Sequence, residues 1–263
     1  MSYLTQGRFG GLVCGSSEMS NVSTGSLLGK FVNKTVLSND FQWAWQNYKQ
    51  VVLTLQKEFG CKSLMEIGGG RSPLFDYSEY RNLNTFYTLN DISPKELALA
   101  PAWPLKACFD ICSPPSTIES SYDLIFSKMV FEHIPNAAKA YQAVYRLLKP
   151  GGIALSFFPT LYCLPFVLNY LSPERLSSKL QRLFDPRPDP KFPAYYHWCR
   201  SSDYLKQNLK TVGFRYIEVS PFYGHAYYRS IPFLRTTERH WTRMARGRNL
   251  TILSSFAYAF VQR

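Results

Sequence analysis

Gly68, Gly69 and Gly70 follow the apolar run KSLMEI and precede Arg71-Ser72-Pro73. Glycine carries an entropic cost and is favoured where backbone turns tightly or approaches something closely. A glycine-rich turn between a strand and a helix leaves backbone N–H groups uncovered for a ligand. About twenty residues later, past the run TFYTLN, stands Asp91, placed to accept both hydroxyls of a ribose. Asp110 closes a third run, LKACFD, where a carboxylate can take an adenine amino hydrogen. Loop, ribose acid and adenine acid on consecutive strands describe a nucleoside site with no demand for pyrophosphate. A dinucleotide fingerprint, G-x-G-x-x-G, would need its third glycine at Pro73, so a nicotinamide dinucleotide fits poorly. Taken alone, the triple glycine equally suits a tight turn that holds no ligand.

Such a site needs a parallel sheet beneath it, and the pattern supplies one. A helix is expected from Phe41 to Phe59, capped by Asp40, with Trp45, Tyr48, Val52, Leu55 and Phe59 on one face. KSLMEI reads as a buried strand, and RSPLFDYSEY as a short helix with Ser72 as N-cap and Pro73 at its first position. Strand TFYTLN, helix SPKELALA, strand LKACFD, strand YDLIFS, helix AAKAYQAVYRLLK and strand GIALSFF follow. This alternation predicts βαβ units in a sheet covered on both faces. Beyond residue 200 come helix SDYLKQNLKTV, strand FRYIEVS and a last strand, ILSSFAYAFVQ.

General bases are harder to place. His133 in FEHIP, His197 beside Tyr196 in AYYHWC, and His225 in FYGHAYY are the candidates, with Tyr196 as a hydrogen-bonding aid. Each has a bland alternative: a helix-start residue for His133, a structural residue for His197, and an aromatic core for His225.

The 263 residues, 46% of them hydrophobic, suffice for one large domain. Six cysteines without a CxxC and four dispersed histidines predict neither a metal nor a disulfide framework. Residues 1–38, Gly-, Ser- and Thr-rich at first, read as a flexible leader before a domain over 39–263. No apolar stretch with a cleavage site opens the sequence, so a cytoplasmic protein is expected. The net charge of +12 is lopsided: residues 1–159 carry +2 and residues 160–263 carry +10. The second part therefore meets something acidic or merely aids solubility.

EIGGGRSP, YTLNDIS, CFDI, YDLIFSKMVFEHIPN and YRLLKPGGIALSFF, in that order, resemble the class I S-adenosylmethionine-dependent methyltransferases. The closest pattern is the type 11-like group, with an LEH-type motif after the fourth strand and LKPGG before the fifth. The resemblance covers about residues 60–160 and resumes over 195–220. It implies a Rossmann-like α/β fold: a seven-stranded, mostly parallel sheet with an antiparallel last strand and helices on both faces. It implies S-adenosylmethionine as cofactor, with Glu66 and Gly68 to Gly70 as the methionine-side loop and Asp91 with Ile92 at the ribose. Asp110 and Ile111 would flank the adenine, and Ser127, Lys128 and Met129 would line the floor near the sulfonium. The group's commonest loop is G-x-G-x-G, whereas its last position here is Ser72.

Two insertions, about 160–199 and 221–250, fall outside this pattern. The first is apolar and then Pro-rich, and reads as a lid over the acceptor or a helix on the sheet edge; Pro159, Pro165 and Asn169 argue against a membrane span. Within the second, segment 229–248 sets Leu234, Thr237, Trp241 and Met244 on one helical face and Arg235, Arg239, Arg243 and Arg246 on an adjacent one. Such a helix suits an anionic membrane surface or phosphates, though a solvated arginine face with the apolar side on the domain is the favoured reading. The expected function is methyl transfer to a small-molecule acceptor, apolar or lipid-like. The alternatives are an RNA or protein methyltransferase, nucleic acid being the less favoured partner, and a non-catalytic cofactor-fold binding protein.

Overall fold

The computed structural model describes residues 26–163, 193–226 and 232–263. The elements in chain order are α1 (Leu27–Thr35), α2 (Phe41–Glu58), β1 (Ser63–Ile67), α3 (Tyr77–Leu83), β2 (Phe86–Asp91), α4 (Pro94–Leu99) and β3 (Leu105–Cys108). β4 (Tyr122–Lys128), α5 (Ala137–Leu147), β5 (Leu148–Pro159), α6 (Ser202–Leu209), β6 (Tyr216–Phe222), α7 (Pro232–Gly247) and β7 (Phe256–Gln262) complete the set. One seven-stranded sheet runs β3-β2-β1-β4-β5-β7-β6. β1 to β5 pair in parallel, and β7 lies antiparallel between β5 and β6. The expected Rossmann-like sheet with its antiparallel last strand is therefore present.

Its central strands are buried on both faces. Leu64, Met65, Glu66 and Ile67 are all buried although they alternate sides, as a parallel sheet covered by helices requires. α2 buries Ala44, Tyr48, Val51, Val52 and Leu55 at helical spacing. The expected stripe is shifted at its start, since Trp45 is 42% exposed and Ala44 takes the inward position.

Three sequence expectations change. The leader expected over 1–38 divides: residues 1–25 lie outside the described residues, whereas 27–35 form α1. Ser26 caps α1, and Leu28, Phe31 and Val32 are buried. The helix expected at Ser72-Pro73 begins at Tyr77 instead, because Asp76 and Glu79 form a reciprocal capping box that satisfies two backbone donors. β7 starts at Phe256, after a short 3-10 turn at Thr251–Leu253. The apolar insertion expected over 160–199 lies mostly in 164–192, outside the described residues. Among the described residues, no helix is long and apolar enough to cross a membrane.

Candidate active site

The glycine turn sits at the carboxyl end of β1, between β2 and β4, and its glycines answer to the protein's own packing. Gly68 has φ +70°, and a Cβ there would stand 2.5 Å from Val130 Cγ2. At Gly69 a Cβ would meet Leu89 Cδ1 at 2.3 Å. The amides of Gly68 and Gly69 both donate to the Asn90 carbonyl, at 2.8 and 3.3 Å, which clamps the turn onto the end of β2. Gly70 differs: a Cβ would lie 3.4 Å from Asp91 Oδ2, an ordinary contact. The side of Gly70 that lacks a side chain is therefore the side that faces the Asp91 carboxylate.

Asp91 ends β2 and is half-buried. Its Oδ1 accepts the Ser93 N–H at 2.8 Å, which shapes the turn into α4. Arg71, next in the loop, forms a two-pronged ion pair with Glu96 of α4 through Nε and Nη2, both at 2.6 Å. The guanidinium holds the Glu96 carboxyl below its usual range. This loop-to-helix clamp was not anticipated; the signal was a basic residue closing the glycines and an acidic one in the first turn of the next helix. Asn90, also missed, is 2% exposed and donates from Nδ2 to the carbonyls of Ala107 and Phe109 at 3.0 and 3.1 Å. It ties the end of β2 to the segment carrying Asp110. Asp110 is exposed, and its Oδ1 accepts the Cys112 N–H at 2.8 Å. Ile92 is 62% exposed and Ile111 is buried.

Glu66 braces the turn from beneath. Its Oε2 accepts the Leu74 N–H at 2.9 Å and a short hydrogen bond from the Tyr87 hydroxyl. Burial pushes its carboxyl up to about 7 despite both donors.

The end of β4 forms the adjacent floor. The Ser127 Oγ is buried and has no hydrogen-bond partner among the described residues, while its carbonyl accepts the Tyr48 hydroxyl at 2.7 Å. Lys128 lays its ammonium over the Trp45 ring, 4.1 Å from the centroid, and 5.7 Å from that of Tyr48. Burial lowers its pKa, opposed by the Glu66 charge. Met129 adopts φ +60° and donates its N–H to the Phe157 carbonyl at 2.7 Å. Aromatic rings continue outward from there: Trp45 contacts Phe157 at 5.9 Å and Phe41 at 5.8 Å, and Phe41 stacks on Phe256 at 4.2 Å.

The candidate bases do not converge. His133 Nδ1 bonds the Pro193 carbonyl at 2.9 Å, and its Nε2 lies 3.6 Å from Glu132 Oε1. Tyr196 is buried with φ +50°, its N–H donating to the Glu132 carbonyl at 3.1 Å. His197 is exposed and stacks on Tyr195 with ring centroids 5.8 Å apart. His225 stands at a different place, near α7, where burial pushes its imidazole down to about 4.

Glu132 is 2% exposed, its Oε2 unpartnered among the described residues, and burial pushes its carboxyl up to about 8. Both raised carboxyls hold protons in the folded chain that the unfolded chain releases. Their stabilising effect is complete below the ordinary carboxylate range and is lost as pH rises through about 7 for Glu66 and about 8 for Glu132. Thermal unfolding should accordingly occur several degrees lower at pH 8.5 than at pH 6, with the upper part of the slope flattened in Glu132→Gln. A melting profile that is level or rises across this window in the wild type would contradict the assignment.

Strand order 3-2-1-4-5-7-6, a glycine turn after β1 and a carboxylate ending β2 define the class I S-adenosylmethionine-dependent methyltransferase fold. More particularly, residues 65–156, which run from β1 into β5, match the model of the family Methyltransf_11, described as a methyltransferase domain. S-adenosylmethionine is the cofactor of this class. No curated protein matches the chain in sequence. Phosphoethanolamine N-methyltransferase 2 of Haemonchus contortus, solved with S-adenosyl-L-methionine, matches with a TM-score of 0.51 at 16% identity, covering 89% of this chain and 59% of its own. The citrinin polyketide synthase CMeT domain matches at 0.53 and 17%, covering 90% and 57%. The [4+2]-cyclase SpnF matches at 0.52 and 14%, covering 90% and 93%. The chain thus spans about three fifths of the length of the first two, and at these identities the likeness is one of fold.

Proposed function

We propose that the chain transfers a methyl group from S-adenosylmethionine to a small-molecule acceptor, apolar or lipid-like. The observation that carries this reading is the pairing of Gly70 with Asp91: bare backbone and a carboxylate oxygen face the same space at the carboxyl edge of the sheet. The residues there fit the cofactor. Gly68 to Gly70 would take its methionine end, Asp91 its ribose hydroxyls with Ile92 alongside, and Asp110 and Ile111 its adenine. The buried, unpartnered Ser127 hydroxyl supports a polar ligand group at the floor formed with Lys128 and Met129.

When bound, the cofactor supplies an electrophilic methyl group on a sulfonium. This chain's part is orientation and exclusion of water, which suffice to accelerate an in-line displacement strongly. Trp45, Tyr48 and Phe157 wall the end of β4 and fix the Lys128 ammonium away from open solvent. An apolar acceptor gains from such a wall by burying surface against it. Phe233 and Trp241, 77% and 52% exposed on α7, would suit peripheral contact with a membrane surface.

Titration calorimetry of the full chain with S-adenosylmethionine should give saturable, one-site binding. Incubation with methyl-labelled cofactor and cell extract, separated into lipid, small-molecule, RNA and protein fractions, should place label in the first two. Failure to bind the cofactor would sink the reading, and label confined to RNA or protein would replace its acceptor class.

A further inference from the structure

The arginine helix sits only in part as its pattern suggested: Arg235, Arg239 and Arg243 are exposed, as expected. Thr237 and Trp241, on the side expected to pack, are exposed, while Ala245 is buried and Glu238, Thr242 and Arg246 are half-buried. Arg246 turns inward, and the three exposed arginines border a cleft of about 480 Å³, whose far wall is Asp40, Phe41, Tyr223 and His225. Phe41, Tyr223 and α7 meet there because the Phe41 N–H donates to the Tyr223 carbonyl at 3.0 Å, clipping the start of α2 to the end of β6. The cleft lies at the same carboxyl edge as the glycine turn but over β6 and β7, and none of the proposed cofactor residues lines it.

Its charges are unbalanced. Arg246 Nη2 pairs with Asp40 Oδ2 at 2.7 Å, and Asp40 Oδ1 is spent on capping α2. Glu238 accepts the Thr242 hydroxyl at 2.9 Å. Arg235, Arg239 and Arg243 also line the cleft and have no carboxylate within ion-pair distance among the described residues. Two further donors of lining residues, the Tyr223 hydroxyl and Arg246 Nε, are buried without an acceptor among the described residues. Tyr223 itself is 1% exposed. Four guanidiniums and an orphaned hydroxyl against two engaged carboxylates leave a surplus of donors. Buried donors are ordinarily satisfied, so the Tyr223 hydroxyl and Arg246 Nε, flanked by three exposed guanidiniums, point to an acceptor-rich anion.

We infer that this cleft binds the oxyanion, a phosphate in particular, of a small phosphorylated acceptor. The inference rests on the small-molecule reading above. Guanidinium forks match phosphate oxygens in pairs, which neither a hydrophobic nor a cationic acceptor would use. The volume is that of a pocket for one small molecule and too confined for a run of nucleotides. Phe41 and Tyr223 give such a molecule an apolar side. Through Phe41 and Trp45 the cleft is separated from the Lys128 ammonium by two rings, so an acceptor anchored here reaches the end of β4.

The test compares full-length wild type, Arg239→Gln/Arg243→Gln and the distant control Arg215→Gln, each with S-adenosylmethionine titrated in parallel. Inorganic pyrophosphate should bind the wild type and the control and lose about tenfold or more in affinity in the double variant. Cofactor affinity should be unchanged in all three. Sedimentation with phosphatidic acid vesicles against neutral phosphatidylcholine vesicles separates the sources. Arginine-dependent sedimentation with the former assigns the phosphate to a lipid headgroup, and soluble pyrophosphate binding without it assigns a free phosphorylated molecule. Pyrophosphate binding that is absent in the wild type, or equal in the double variant, overturns the inference, as does arginine-dependent binding of single-stranded RNA alone. Loss of cofactor binding in every protein would instead sink the methyltransferase reading and leave the cleft to be judged on the phosphate titration.

Discussion

Replacing Asp91 with alanine is expected to weaken S-adenosylmethionine binding by about a hundredfold while leaving the fold intact. Two charge-assisted hydrogen bonds to ribose hydroxyls, each contributing about 1.5 kcal/mol or somewhat more, correspond to a loss of that order. The fold loses only the Oδ1 contact to the Ser93 N–H, whose backbone partner lies in a turn open to water, so stability should fall by about 1 kcal/mol. Asp91→Asn separates the two effects. It retains an acceptor for Ser93 and removes the charge, so it should restore stability and only part of the affinity. Calorimetry alongside thermal unfolding reads both. An Asp91→Ala protein that binds the cofactor as the wild type does would remove the ribose from this end of β2.

Gly68→Ala should act the other way, on the protein before any ligand. At φ +70° an alanine pays about 1 kcal/mol or more for the left-handed conformation. Its Cβ would also stand 2.5 Å from Val130 Cγ2, and the overpacking adds about 2 kcal/mol. The two together lower the melting temperature by about 5 °C for a chain of this size. Val130→Ala in the same chain removes the colliding methyls and should recover part of the loss, while the backbone part remains. Unfolding curves of the single and double variants measure the coupling, and additive effects would exclude the clash as the cause. Gly70→Ala, where the new Cβ has room, should lose less stability than Gly68→Ala.

The parallel half of the sheet was legible because each of its strands is a short apolar run ended by turn residues, and both faces being buried leaves no polar alternation to confuse it. The glycines, Asp91 and Asp110 could be placed at one edge for the same reason: in a parallel sheet every strand end of one polarity lies on one side. What escaped depended on competition or on distance. Ser72-Pro73 has the chemistry of a helix start, but Asp76 and Glu79 cap each other reciprocally four residues on, and two satisfied donors outweigh one. α1 hides behind a Gly- and Ser-rich run, with only Leu28, Phe31 and Val32 to betray a buried face. For α7 the solvated arginines were legible, Arg235, Arg239 and Arg243 being exposed, but helical spacing does not tell which side meets the domain. That is decided by Asp40 and Tyr223, far from α7 along the chain, the former through its ion pair with Arg246.

Helix α2 touches both regions of interest. Its first residue, Phe41, borders the arginine cleft, and two turns later the Tyr48 hydroxyl is anchored to the Ser127 carbonyl at the end of β4. Seven residues of α-helix measure about 10 Å. Because a helix is stiff along its axis, the two anchor points cannot drift apart, and α2 works as a ruler. On the reading proposed above, an acceptor held by its anionic end would carry the atom to be methylated roughly that far away, and chain length would become a criterion of selection, independent of the chemistry at either end.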